Sequence, residues 1–146
     1  MTSIKVKSIK HLVELAITVV TNEHFKFSLG KVSTEIANIV KQVTGMDISG
    51  YDCIIDNFAV KHTLLQHGNA AKEEKHGQIP VTIDYFEKIP DVIKNPDCIS
   101  DGGLSKIGRR IIVYAKRVNG VIIYVEEIRT KKKELAMLTM YMKKAR

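Results

Sequence analysis

Cysteine is scarce in this chain of 146 residues: only Cys53 and Cys98 occur, with no C-x-x-C spacing around either. A disulfide framework and a structural zinc site are both poor explanations of how it holds together, and a reducing compartment fits. Long apolar runs are missing too. The nearest candidate, "IKVKSIKHLVELAITVV", places lysines ahead of an apolar stretch as a signal peptide does, but Glu14 interrupts it and no small-residue cleavage pattern follows. It is also too short to cross a bilayer. It reads instead as an amphipathic helix from about Lys7 to Val20, with Leu12, Leu15, Ala16 and Val19 on one stripe. There is no internal repeat and no low-complexity tract. Neither a G-x-x-x-x-G-K-[ST] loop nor a G-x-S-x-G elbow is present, which leaves nucleotide hydrolysis and acyl transfer by those routes unsupported.

The length suits one domain over residues 1–146, with enough chain to bury a core without staples. Its net charge of +7 is unevenly spread. Residues 1–100 hold 11 Lys/Arg and 12 Asp/Glu, a net of −1, while residues 101–146 hold 12 Lys/Arg and 4 Asp/Glu, a net of +8. A basic region of this kind is either solvated surface or the footprint of a polyanion, with nucleic acid ahead of membrane because no helix there is both apolar and basic.

Periodicity organises the rest. "FKFSLGKV" alternates as a strand with Phe25, Phe27 and Leu29 on one face. "STEIANIVKQVTG" carries a hydroxyl cap, Ile36, Ile39, Val40 and Val43 at helical spacing, and Gly45 as a stop. "DNFAVKHTLLQHGN" repeats that logic, with Asp56 or Asn57 as N-cap, Phe58, Val60, Leu64 and Leu65 inward, and Gly68 as C-cap. All three prolines fall in "GQIPVTIDYFEKIPDVIKNPDCISDGG", which reads as short helical turns joined by loops, one capped by Asp84 and another formed by "IPDVIKN".

The last third reads as strand. "RRIIVYAKRV" and "VIIYVEEIR" flank Asn119-Gly120, the signal of a two-residue type I′ hairpin, which would set Lys116 opposite Ile123 and Tyr114 opposite Val125. "ELAMLTMYMKK" has helix-forming residues but alternates, so as a strand it projects Leu135, Met137, Thr139, Tyr141 and Lys143 from one side. A hydroxyl, a phenol and an ammonium in one row suit the chemistry of phosphate esters; the alternative is an ordinary half-buried aromatic beside a solvated strand end.

Three histidines, His62, His67 and His76, fall within fifteen positions. Metal ligation, proton transfer and plain helix-end structure are all open to them. Ligands on one helical face want a spacing of three or four, whereas five residues turn the second ring well away from the first, so no metal site is expected.

The order and spacing of "KHTLLQHG", "GQIP", "DYFEKIPDVIKNPD" and the terminal "TMYMKK" resemble the phage-associated branch of the nuclease superfamily named for barnase, EndoU, colicin and RelE-like toxins. Domains of this branch often form the toxin-like C-terminal part of phage Mu-type minor head proteins. The resemblance runs from roughly Asp47 to the C-terminus, dividing the chain into a helix-strand-helix part over residues 1–46 and a nuclease-like core over 47–146. It implies an α+β fold, with N-terminal helices packed on a C-terminal antiparallel sheet that cradles RNA, and cleavage without metal or cofactor.

Carried over residue by residue, it gives catalytic candidates His67, His62, Thr139 and Tyr141, with Lys116, Arg129 and Lys143 as phosphate contacts. His76 stands where the family has mostly arginine or another polar residue and receives no role. In such a reaction the substrate's 2′-hydroxyl attacks; a histidine moves protons near neutrality and Lys or Arg stabilises the phosphorane. His67, beside Gly68, is the histidine expected nearest the chemistry. The implied function is a toxin-type endoribonuclease acting on tRNA or another structured RNA in the cytoplasm of a bacterial host or target cell, phage-encoded or delivered, without a membrane partner. An acidic inhibitor protein over the basic face is expected by analogy. The alternative is a non-catalytic RNA-binding or phage structural accessory domain of the same fold.

Overall fold

The chain is described by a computed structural model over residues 5–18, 23–69, 72–73 and 78–144. His76 and Val19 lie outside these residues. The first helix, α1 (Ile9–Thr18), buries Leu12, Leu15 and Ala16 as its stripe requires. Strand β1 (Lys26–Lys31) follows Phe25, and Phe25, Phe27 and Leu29 all pack on the core. In α2 (Thr34–Thr44) the Ser33 hydroxyl accepts from the Ile36 amide, and Gly45, at φ 80°, closes the helix in the left-handed region. Its inward stripe is Ile36, Ala37 and Val40; Val43, expected inside, is exposed.

Strand β2 (Asp52–Asp56) leads directly into α3 (Asn57–His67), whose N-cap is Asp56 with its side chain accepting from the Ala59 amide. Here the inward set differs from the expected one: Asn57, Ala59, Val60 and Thr63 are buried, whereas Phe58 and Leu65 are exposed. The short elements β3 (Gln78–Ile79), α4 (Ile83–Phe86) and α5 (Ile89–Lys94) occupy the proline-bearing middle. α4 starts after Thr82, with Asp84 inside its first turn. Then come β4 (Cys98–Leu104), β5 (Arg110–Arg117), β6 (Val121–Arg129) and β7 (Glu134–Lys143).

The result is α+β, as the sequence implies. Seven strands form one sheet in the order β1-β2-β7-β6-β5-β4, with β3 also paired to β7. Unlike the antiparallel sheet expected, it is mixed, because β2 runs parallel to β7. Two strands, β1 and β2, come from the N-terminal half, and β4 forms from "CISDGGL" where loop was expected. β2 and β3 share one edge of β7: Ile54 pairs with Ala136 near its start, and Ile79 with Met142 near its end. α3 leaves β2 and packs on β7.

Register decides which side chains share a face. Lys116 pairs with Ile122 and Tyr114 with Tyr124, one residue off the two-residue-turn expectation, because the loop is Val118–Gly120, closed by the Val118 amide donating to the Gly120 carbonyl. A bulge in β7 also departs from simple alternation: Met137 pairs with Glu126 but Thr139 with Val125. The extra residue turns the later half of β7 over. Leu135 and Met137 therefore join Met140 and Met142 on the closed face, all four buried with Ile112, Tyr114, Ile122 and Tyr124. Thr139, Tyr141 and Lys143 stay together on the other face, beside Val125, Ile123 and Val121. That face is open: Val113, Ala115, Val125, Thr139 and Tyr141 are half-buried, and Arg117 and Lys143 exposed.

Candidate active site

Where α3 ends, its last residue meets the open face. The His67 ring lies 5.5 Å from the Tyr141 ring at a tilt of 34°. Two hydrogen bonds hold the helix end in place. The Gly68 amide donates to the Leu64 carbonyl, and the Val81 amide, arriving after β3, donates to the His67 carbonyl at 2.7 Å. Glycine is required at 68, since a Cβ there would sit 2.5 Å from the Leu64 carbonyl oxygen.

The chain then brings Glu73 back under the imidazole. Its side chain is 1 % exposed, and Oε2 lies 3.4 Å from Nδ1 of His67. A carboxylate facing Nδ1 selects the tautomer with the proton on that nitrogen and leaves Nε2 free to accept one. A partly buried imidazole oriented by a buried carboxylate is the arrangement proton transfer uses.

Beyond Tyr141, the ammonium of Lys143 stands 5.9 Å from the phenol ring centroid. Lys143 is paired to Val121 on one side and Gln78 on the other, so the strand that carries it is fixed on both edges. Thr139, two residues back on the same face, has a buried Oγ1 with no hydrogen-bond partner among the described residues. An orphan buried hydroxyl is an unmet donor and acceptor. His67, Tyr141, Lys143 and Thr139 thus form one group.

The other sequence candidates lie elsewhere. His62 is exposed and lines a shallow depression with Asp56, Phe58, Ala59, Arg129, Met137 and Leu138. Five residues carry it about 140° round the helix from His67. Beside that depression His24 stacks on Phe58, centroids 5.4 Å apart, and its Nε2 lies 2.9 Å from Asp56 Oδ2. Arg129 donates through Nε and Nη2 to Glu127 Oε1. Lys116, by the register above, is on the closed face; its Nζ donates to the Asn95 carbonyl and lies 3.5 Å from Asp91, securing the end of α5. It is therefore not brought to the Tyr141 group.

Glu73 is the residue that pattern reading missed. In "KEEKHG" it looks like solvated charge, and its one sequence signal is an acid a few residues past a histidine-glycine helix end. Among the described residues no group of three or more His, Cys, Asp and Glu side chains is placed to hold a metal ion, and no helix is long and apolar enough to cross a membrane.

Comparison with known proteins speaks at the level of family. No curated protein and no solved structure matched the chain. The model of the family described as phage-Barnase-EndoU-ColicinE5/D-RelE like nuclease3 matches residues 30–146, from the end of β1 through all of β7, and the chain belongs to that nuclease family.

Proposed function

We propose that this nuclease is a metal-independent endoribonuclease of toxin type, cutting tRNA or another structured RNA through attack of the substrate's own 2′-hydroxyl. The observation that carries the reading is the placement of His67 between buried Glu73 on one side and Tyr141 on the other, at the rim of a half-open sheet face.

In this reading His67 Nε2 accepts the 2′-hydroxyl proton while Glu73 holds the ring and offsets the charge it gains. The 2′-oxygen forms its bond to phosphorus, and the bond from phosphorus to the 5′-oxygen breaks. The Tyr141 phenol protonates the leaving 5′-oxygen. Lys143 sits where negative charge develops on the phosphorane, and the Thr139 hydroxyl donates to a non-bridging oxygen, satisfying a group otherwise unpaired. The products are a 2′,3′-cyclic phosphate and a 5′-hydroxyl. An acidic inhibitor protein would complement the basic C-terminal third.

The test is incubation of the purified protein with total RNA in excess EDTA, with His67→Ala alongside. Discrete fragments ending in 2′,3′-cyclic phosphate, absent with the variant, are the expected result. RNA left intact across salt and pH would instead identify a binding domain that keeps the family fold without turnover.

A further inference from the structure

At the far end of the same open face lies a second cationic site. Arg109, Ile128, Arg129, Thr130, Lys131 and Lys132 line a cavity of about 260 Å³ at the β6–β7 turn. By register Glu127 and Arg129 share their face with Val125 and Ile123, and hence with Thr139 and Tyr141.

Two guanidiniums are fixed there by one carboxylate. Arg109 Nη1 donates to both oxygens of Glu127 at 3.2 Å, and Arg129 donates to Oε1 through Nε and Nη2. The Glu127 side chain is only 7 % exposed, while that of Arg109 is 41 % exposed. Each guanidinium thus spends part of its fork on the buried acid and keeps other N–H groups free. Lys131 and Lys132, both exposed, add charge without an ion pair among the described residues. Glu134, the other nearby acid, is shared between Arg129 at 4.0 Å and Lys26 at 3.3 Å. Four cations against buried Glu127 and the part of Glu134 that Arg129 takes leave the cavity net positive, with oriented donors and Thr130 at its wall.

We infer that this cavity binds a backbone phosphate of the RNA at a position remote from the bond being cut. That the ligand is RNA rests on the function proposed above. The two sites are six residues apart along β6, from Ile123 beside Tyr141 to Arg129, which is roughly 20 Å. Stacked nucleotides advance about 3.4 Å each, so one strand must run on the order of six nucleotides to touch both. The cavity therefore makes the protein prefer a polymer over a short oligonucleotide.

The experiment uses full-length His67→Ala protein, which holds RNA without consuming it, with and without Lys131→Ala/Lys132→Ala, and separately with Arg109→Ala. Binding of a labelled single strand of about 20 nucleotides and of a trinucleotide is followed from low to moderate KCl. For the longer strand the slope of log affinity against log salt is expected to fall by up to about 0.7 in the double lysine variant and in Arg109→Ala, the share of the one cavity phosphate no longer neutralised. The trinucleotide, too short to span the sites, should bind all the proteins alike. An unchanged slope, or an equal loss for both RNAs, overturns the inference. Cleavage of the longer strand by the wild-type protein tests the enzyme reading separately. A slope change with RNA left uncut keeps the cavity and removes the ribonuclease, cut RNA with an unchanged slope does the reverse, and no binding at low salt overturns both.

Discussion

Glu73 Oε2 faces His67 Nδ1 at 3.4 Å from a position almost wholly removed from solvent. A buried carboxylate that only filled space would be replaceable by its amide. One that sets the tautomer and offsets imidazolium charge would not, since the amide introduced by Glu73→Gln can present its NH2 to Nδ1 and reverse the proton arrangement. His67→Ala is expected to slow single-turnover RNA cleavage by about 10²- to 10⁴-fold. Glu73→Gln should lose on the order of 10²-fold with RNA affinity retained. A Glu73→Gln protein that cleaves at the wild-type rate would remove Glu73 from the mechanism.

Tyr141 has two separable properties, a ring against His67 and a phenol proton. Tyr141→Phe keeps the ring and its capacity to stack on a base; Tyr141→Ala loses both. If the phenol donates to the leaving oxygen, Phe should lower kcat by about 10²-fold or more with KM little changed. Ala should also raise KM, by the roughly 1–3 kcal/mol that stacking on a base contributes. Equal kcat for wild type and Tyr141→Phe would leave stacking as the role of the ring.

The Thr139 hydroxyl is buried and unpaired among the described residues. Thr139→Val replaces it with a methyl of nearly the same shape, relieving a desolvation penalty of about 1–3 kcal/mol. The melting temperature should rise while cleavage falls. Thermal melts and initial rates on the same preparations check this, and a variant both stable and fully active would show that the hydroxyl never meets the phosphate.

What the sequence made legible was local. The Ser33 cap and Gly45 stop bound α2 because each acts within one turn, and alternation in "TMYMKK" correctly put Thr139, Tyr141 and Lys143 on one face. The failures are non-local. "DCIID" offers three apolar residues between two aspartates, and it becomes β2 by pairing with β1 on one side and, on the other, with Leu135 and Ala136, some eighty residues later. That parallel pairing lays α3 along β7 and carries His67 to Tyr141, so the site could be guessed by type but not assembled. A bulge of one residue near Leu138, and a hairpin loop of three residues instead of two, each change which residues face one another with no change in composition. Glu73 and Glu126 were hidden for another reason: a charge is read as solvated until its neighbours are known.

Lys116 illustrates the effect of register. As a phosphate ligand its loss would weaken RNA binding, whereas its place over α5, donating to the Asn95 carbonyl, makes it a structural tie. Lys116→Met should lower the melting temperature by a few degrees and leave the rate of RNA cleavage as it was. A variant that melts normally but binds RNA with a reduced salt slope would return Lys116 to the substrate.

Glu126 gives the pH dependence of the fold. It sits on the closed face, paired with Ile112 and Met137, with Oε1 accepting the Tyr114 hydroxyl proton and Oε2 unpartnered among the described residues. Burial pushes its pKa from 4.5 up to about 7, although the Tyr114 hydrogen bond pulls the other way. Between these two values the folded protein keeps a proton that the unfolded chain has released. Folding takes up a proton there, and stability falls as pH rises through the window. Below about 4.5 the group contributes no penalty, and above about 7 the full cost stands, on the order of 3 kcal/mol from 1.36 kcal/mol per unit. Glu126→Gln retains an acceptor for Tyr114 and carries no charge. Urea unfolding of the two proteins should therefore give similar stabilities near pH 4.5 and a variant more stable by about 2–3 kcal/mol near pH 8. Because other titrating groups are common to both, the difference between the curves isolates Glu126; a difference that does not change with pH would mean the carboxyl titrates alike in the folded and unfolded chains.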